Sequence, residues 1–252
     1  MSDLRPGIVV QARVGSTRLP GKVLLRVQGD TLLGHLLRRL EWCREARCVV
    51  VAAPSGHADE SVLSEARLHG ARTFAGPEDD VLSRYVGAAR EFDLDPVVRV
   101  TADCPLSDPA IVDEALVLYA RRKRAGLPVD LVTNARPGAR TFPRGLDVEV
   151  VSRSALEAAD AELGPDAAQR EHVTQILYQQ PGSLRIEDLR LPLDLSFLRW
   201  TVDTIEDFEL VRAIFDELFP GKPVFGLHDV LELLGKRPEL LALNAQVRQK
   251  GA

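Results

Sequence analysis

Apolar positions along the first half of the chain switch between two periods. Short β-branched runs at residues 8–11, 48–52, 72–74 and 97–101, each closed by turn-forming residues, predict strands. Between them the apolar positions recur at helical spacing. Leu32, Leu33, Leu36, Leu37 and Leu40 follow Asp30 and Thr31, a suitable N-cap. Val62, Leu63, Ala66 and Leu68 form a second helical face, and Val81, Leu82, Tyr85, Val86 and Ala89 a third, launched by Glu78, Asp79 and Asp80. Strands and helices in alternation imply an α/β fold with a mostly parallel sheet covered by helices on both faces.

The second half is less regular. A helix is predicted over 109–124 and a strand over 130–133, followed by a Gly/Pro/Arg-rich stretch at 136–144 and a strand over 146–151. Helices at 154–163 and 166–180 and a strand-like run at 184–191 come next. An extended segment at 198–203 then leads into a helix at 205–218 and a short one around 230–234. Residues 136–195 break the alternation and read as an insertion. With 252 residues, 45% of them hydrophobic, the chain can build one large core, so the expectation is a single domain over 1–252 carrying that insertion.

Composition narrows the partners. A net charge of −5 gives little electrostatic basis for nucleic-acid binding, so an anionic partner should be small. No apolar run approaches the ~20 residues of a spanning helix and the first residues lack a signal-peptide core, so a cytoplasmic protein without membrane attachment is expected. Cys43, Cys48 and Cys104 are odd in number and lack metal-type spacing, which fits a reducing compartment. His35, His57, His69 and His228 are dispersed, and no chemistry is assigned to them.

The chemistry begins immediately after the first strand. Residues 11–23 read Gln-Ala-Arg-Val-Gly-Ser-Thr-Arg-Leu-Pro-Gly-Lys-Val. Gly15 permits close approach of backbone N–H groups to an anion; Arg13 and Arg18 offer forked donors, Lys22 a mobile charge, and Ser16 and Thr17 hydroxyls. A basic solvated turn is the competing reading. The position favours the loop, because open α/β sheets bind ligands at the carboxyl ends of their strands. Neither the Walker order nor Gly-x-Gly-x-x-Gly is present.

Two carboxylates answer this loop. Asp103, in Thr101-Ala102-Asp103-Cys104-Pro105, ends an apolar strand at the same sheet edge, and Asp203 ends the 198–203 segment just before a helix. Such a pair suits Mg²⁺, which takes one or two protein carboxylates and completes its shell with water and phosphate oxygens. Each could instead be a helix N-cap, Asp203 especially. Further on, Arg144, Asp147 and Glu149 cluster in the 140–149 stretch, with both acids on one strand face opposite Leu146, Val148 and Val150. Arg170, Glu171 and His172 head the expected 166–180 helix.

The stretch from Gln11 to Leu24 resembles the signature loop of sugar nucleotidyltransferases. It is especially similar to the spore-coat polysaccharide cytidylyltransferases (SpsF-like), whose wider relatives make CMP-activated acidic sugars such as CMP-neuraminate and CMP-octulosonate. The Asp-x-Pro at 103–105, the 142–150 stretch, the Arg-Glu-His-Val-Thr element at 170–174 and the Val-Asp-Thr-x-x-Asp segment at 202–207 carry the same resemblance. It implies a Rossmann-like, GT-A-like nucleotidyltransferase fold and transfer of CMP from CTP to an acidic sugar with release of pyrophosphate. By the same resemblance Arg13, Lys22 and Asp103 would be catalytic. Ala12, Arg13, Gly15, Ser16, Thr17, Arg18, Lys22, Asp80 and Asp103 would bind nucleotide, and Asp103 and Asp203 would hold Mg²⁺. Arg144, Asp147, Glu149, Arg170 and His172 would face the acceptor, and the 136–195 block would also make a homodimer contact. The neuraminate enzymes resemble Ala-Arg-x-Gly-Ser-Lys-Gly in the loop, whereas Ser16-Thr17-Arg18-Leu19-Pro20 stands here, so neuraminate itself is not implied. A metal-dependent glycosyltransferase consuming a nucleotide sugar and a non-catalytic nucleotide-binding protein are the alternatives.

Overall fold

Ile8, Val9 and Val10 are wholly buried, so β1 (Gly7–Gln11) is covered on both faces, as a central parallel strand must be. The computed structural model describes residues 4–164, 167–179 and 184–248. In chain order, β1 is followed by β2 (Arg26–Val27), β3 (Asp30–Thr31), α1 (Leu32–Leu40), β4 (Val49–Pro54), α2 (Glu60–Leu68), β5 (Arg72–Gly76), α3 (Val81–Glu91) and β6 (Val97–Thr101). Then come α4 (Pro109–Arg124), β7 (Leu131–Thr133), β8 (Glu149–Val151), α5 (Arg153–Glu162), α6 (Gln175–Gln179), β9 (Ile186–Asp188), α7 (Ile205–Leu218) and α8 (Leu227–Lys236).

Seven strands form one mixed sheet in the order β5-β4-β1-β6-β8-β7-β9. β1 pairs in parallel with β4 and β6, Val10 lying opposite Val51 and Val100. β8 runs antiparallel to both of its neighbours, β6 and β7. Strand alternation divides the core into two layers. Ile8 and Val10 face α1, α4 and α7, whereas Val9 faces α3 and α5. The leucines of α1 are all buried in the first layer, each stabilising the fold by roughly 1.5–3 kcal/mol relative to exposure.

Four second-half segments depart from the sequence expectation. The 166–180 helix is instead a short 3-10 turn (Ala168–Arg170), a turn over 171–174 and the single short helix α6; residues 165, 166 and 180 lie outside the described residues. Val173 explains the break: its φ of 48° is left-handed, which a helix does not admit and a β-branched residue seldom adopts. The strand expected over 146–151 pairs only from Glu149, because the Asn134 amide replaces the ladder before it. Asn134 Nδ2 donates to Leu146 O at 2.7 Å, and its Oδ1 accepts from Val148 N at 2.8 Å. Residues 198–203 have no ladder either, only an isolated parallel bridge between Arg144 and Arg199. The strand-like run at 184–191 contracts to β9.

Candidate active site

The carboxyl ends of β1 and β6 open into a cavity of about 910 Å³. One wall is the loop after β1, folded back on itself: Gly21 N donates to Val14 O at 3.0 Å and Leu19 N to Ser16 Oγ at 3.3 Å. Asp59, at the foot of α2, accepts from Val14 N at 2.7 Å and sets the loop's height above the sheet. Ala12, Arg13, Gly15, Ser16, Thr17, Arg18 and Lys22 all line the cavity.

Asp103 and Asp203 face the same cavity, although they lie far apart in the chain. The 199–203 segment is laid against the β6 end by Val202 N donating to Asp103 O at 2.8 Å and Thr201 Oγ1 to the same oxygen at 3.2 Å. Gly145 makes this approach possible, with φ at 102° and a would-be Cβ only 2.5 Å from the Trp200 carbonyl carbon. Neither acid caps a helix. Thr204 caps α7 in a reciprocal box with Asp207, and Asp108 caps α4.

Lys22 bridges the two carboxylates. Its Nζ donates to Asp103 Oδ2 at 3.0 Å, Asp203 Oδ1 at 2.8 Å and Val202 O at 2.7 Å. Burial opposes its charge, but Asp103 and Asp203 outweigh burial and raise its pKa, so Lys22 is a fixed ammonium. Asp203 also receives Arg199 Nη2 at 2.7 Å and Arg18 Nη2 at 3.0 Å. Burial alone would raise its pKa; Lys22, Arg199 and Arg18 together bring it down to about 2. Arg199 is held in turn by Asp207, fully buried, at 2.9 Å. Arg13 is looser, half-exposed and 3.2 Å from Glu171 Oε1 across the cavity mouth.

On the opposite wall stand Arg144, Asp147 and His172. Asp147 is paired with Arg140, and His172 is exposed on the 171–174 turn rather than on a helix. Burial, reinforced by Arg140, lowers the pKa of the Arg144 guanidinium. Three further candidates do not line the cavity. Asp80 caps α3 through Ser83 N at 2.9 Å and accepts from Arg170 Nε at 2.8 Å, while Arg170, buried, also pairs with Asp160. Glu149 is buried between Arg99, at 2.5 Å, and the Tyr178 hydroxyl. Gln11, the first residue of the signature loop, and Arg84, beside the acids of 78–80, also line the cavity, as do Arg99 and Thr201, which were not among the expected site residues. Arg99 carried a visible signal, a cation inside the apolar run 97–100. Cys104 is buried, and burial with Asp103 nearby raises its thiol pKa well above the ordinary value, so it is no nucleophile.

The sequence profile of the cytidylyltransferase family matches residues 8–240. The chain belongs to the cytidylyltransferase family. This cytidylyltransferase is 28% identical over 237 residues to the spore coat polysaccharide biosynthesis protein SpsF of Bacillus subtilis, covering 92% of this chain and 94% of that one. It is 32% identical over 240 residues to the 3-deoxy-manno-octulosonate cytidylyltransferase of Solibacter usitatus, covering 82% of this chain and 93% of the other. Its structure is similar to that of a cytidylyltransferase from Leptospira borgpetersenii, with a TM-score of 0.89, 31% identity, and 99% and 100% of the two chains covered. The fold is thus that of the nucleotidyltransferases, and the protein is a CTP-dependent nucleotidyltransferase. Among the described residues, no helix is long and apolar enough to cross a membrane.

Proposed function

We propose that this cytidylyltransferase transfers CMP from CTP to a small acidic sugar, releasing pyrophosphate. The observation that carries the reading is the shared cavity, in which the cationic loop after β1 meets Asp103 and Asp203. Transfer requires an acceptor oxygen to attack the α-phosphorus as the pyrophosphate oxygen departs, so the P–O bond to the β-phosphate breaks as the new one forms. The protein's part is alignment and neutralisation of the charge that develops. In this reading Arg13, Arg18 and Lys22 stabilise the leaving pyrophosphate. Ser16, Thr17 and the backbone around Ala12 and Gly15 cradle the nucleotide.

Asp103 and Asp203 fit a divalent cation. Both are hard oxygen donors facing the cavity; among the described residues Asp103 Oδ1 is paired with no basic group and has the Cys104 thiol at 3.6 Å, whereas Asp203 is already held by Lys22, Arg18 and Arg199 and would share its oxygens with the ion. They would hold Mg²⁺, which when bound supplies charge neutralisation at the reacting phosphate. Arg144, unpaired with any carboxylate among the described residues, is a ready partner for the acceptor's carboxylate, with Asp147 and His172 facing its hydroxyls. Glu149 and Arg170 then act from behind the wall, and Asp80 through α3. The octulosonate enzyme among the relatives supports an acidic sugar as acceptor. The same reading gives a cytoplasmic homodimer joined through the 136–195 block, where Leu193 is 72% exposed.

Pyrophosphate release from CTP, measured across a panel of acidic sugars, tests the proposal. Release with one of them, dependent on Lys22, is expected. A nucleotide sugar consumed without pyrophosphate would indicate a glycosyltransferase instead, and CTP bound without turnover across the panel would leave only a binding protein.

A further inference from the structure

Asp30, Glu65 and His69 converge away from the cavity, where the start of α1 meets the end of α2. One carboxylate oxygen from each acid and the imidazole Nε2 all lie within 4.8 Å of one another. None of the three lines the active cavity; His69 borders a separate recess of about 290 Å³ beside Val49 and Arg72, at the amino ends of β4 and β5.

Nε2 stands 3.3 Å from Asp30 Oδ1 and 3.4 Å from Glu65 Oε1. A charge-assisted N–H···O bond is roughly 2.7–2.9 Å long, so these contacts are poor hydrogen bonds. They are good ligand–ligand separations. A tetrahedron with metal–ligand bonds of roughly 2.0–2.1 Å, those of zinc to imidazole and carboxylate, has edges of about that length. Thr31 orients both acids, its backbone N–H donating to Asp30 Oδ1 at 2.8 Å and its hydroxyl to Glu65 Oε1 at 2.7 Å, as outer groups do around metal ligands. Asp30 is 8% exposed, and its Oδ2 accepts no hydrogen bond among the described residues, although Arg38 Nε lies 3.0 Å away. Gly34 lets the group assemble, since a Cβ there would collide with both the Asp30 carboxylate and His69 Nε2.

We propose that Asp30, Glu65 and His69 form a binding site for a divalent transition-metal ion of the zinc type, completed by water, that clamps α1 to α2 outside the catalytic cavity. A neutral imidazole with two carboxylates, one of them also paired with Arg38, leaves the cluster net negative and attractive to such an ion. The nitrogen donor favours zinc or cobalt over magnesium, which prefers an all-oxygen octahedron.

The test uses the full-length protein, stripped with chelator and titrated with Co²⁺ as the spectroscopic probe, then with Zn²⁺. One equivalent should give the intense visible band of tetrahedral cobalt, which Zn²⁺ displaces. At about a hundredfold excess over Kd, Zn²⁺ should raise the melting temperature by roughly 5–10 °C. His69→Gln and Glu65→Gln should each abolish both signals, and Asp103→Asn should keep them. A band or shift that survives His69→Gln, that disappears in Asp103→Asn, or that never forms in the wild type would overturn the site. Should the His69 variant not fold, X-ray absorption on the zinc-loaded wild type decides: one imidazole in the inner shell supports the site, and an all-oxygen shell refutes it.

Discussion

Replacing Asp203 by Asn separates what this residue does for stability from what it does for activity. Both of its oxygens are engaged, one by Lys22 at 2.8 Å, the other by Arg199 at 2.7 Å and Arg18 at 3.0 Å, and the side chain is 14% exposed. Its pKa falls from an ordinary 3.8 to about 2, which corresponds to ~2 kcal/mol of preference for the ionised carboxylate in the folded protein. The folded-state pKa is the lower one, so this stabilisation is complete above 3.8 and is lost as pH falls through 2. The amide of the variant keeps the shape of the carboxylate and loses its charge. Urea unfolding at pH 7 should therefore show the variant less stable by ~2 kcal/mol, or by roughly 4–8 °C in Tm for a chain of this size. The gap between wild type and variant should hold down to about pH 5 and narrow below the ordinary carboxylate pKa. Pyrophosphate release at pH 7 should fall by about a hundredfold or more, as expected where a charge aligned with the reacting phosphate is removed. Equal midpoints at pH 7 would refute the electrostatic account of the network. An unchanged turnover rate would remove Asp203 from the site.

Arg13→Ala and Lys22→Met should each lower CTP turnover by about a hundredfold. Arg13→Ala should leave the melting temperature nearly unchanged, because its pairing with Glu171 is exposed on both sides, whereas Lys22→Met should lower it; turnover and calorimetry on both variants check this. Gly145→Ala should lose stability and activity together, since the added Cβ meets the Trp200 backbone rather than a flexible side chain; chemical denaturation against turnover measures it. Light scattering should report a dimer, and a 27.7 kDa species alone at micromolar concentration would reject the proposed assembly.

The first half of the fold was legible because its elements satisfy local rules and tertiary demands together. Leu32, Leu33, Leu36, Leu37 and Leu40 repeat at helical spacing and are all buried in α1, and Ile8, Val9 and Val10 have the β-branched character that a doubly covered strand requires. The second half hides its determinants in side chains. Nothing in the residues around Asn134 announces that its amide will stand in for a strand ladder, and nothing before Val173 announces a left-handed residue in an otherwise helical stretch. The same limit applies to the cavity. The cations of the loop after β1 and the pair Asp103 and Asp203 could be found, since each lies in or next to an extended run, but Arg199 could not, because its role depends on a pairing with the buried Asp207 that no local pattern shows.

That hidden layer determines how the cavity can receive a triphosphate. Asp207 is fully buried and fixes Arg199; Arg199 fixes Asp203; and Asp203, with Asp103, fixes Lys22. A long side chain held in this way has already lost much of the rotamer freedom, worth up to ~2 kcal/mol, that binding an anion would otherwise take from it. Lys22 therefore meets a phosphate oxygen largely preorganised, and its raised pKa keeps it charged throughout the neutral range. Arg13 lies at the other extreme, half-exposed at the mouth with a single partner on a turn, and can swing with the ligand. The cavity thus combines a rigid cationic floor with a mobile cationic rim. Such a division suits a reaction in which the departing pyrophosphate must be stabilised as it forms and then released.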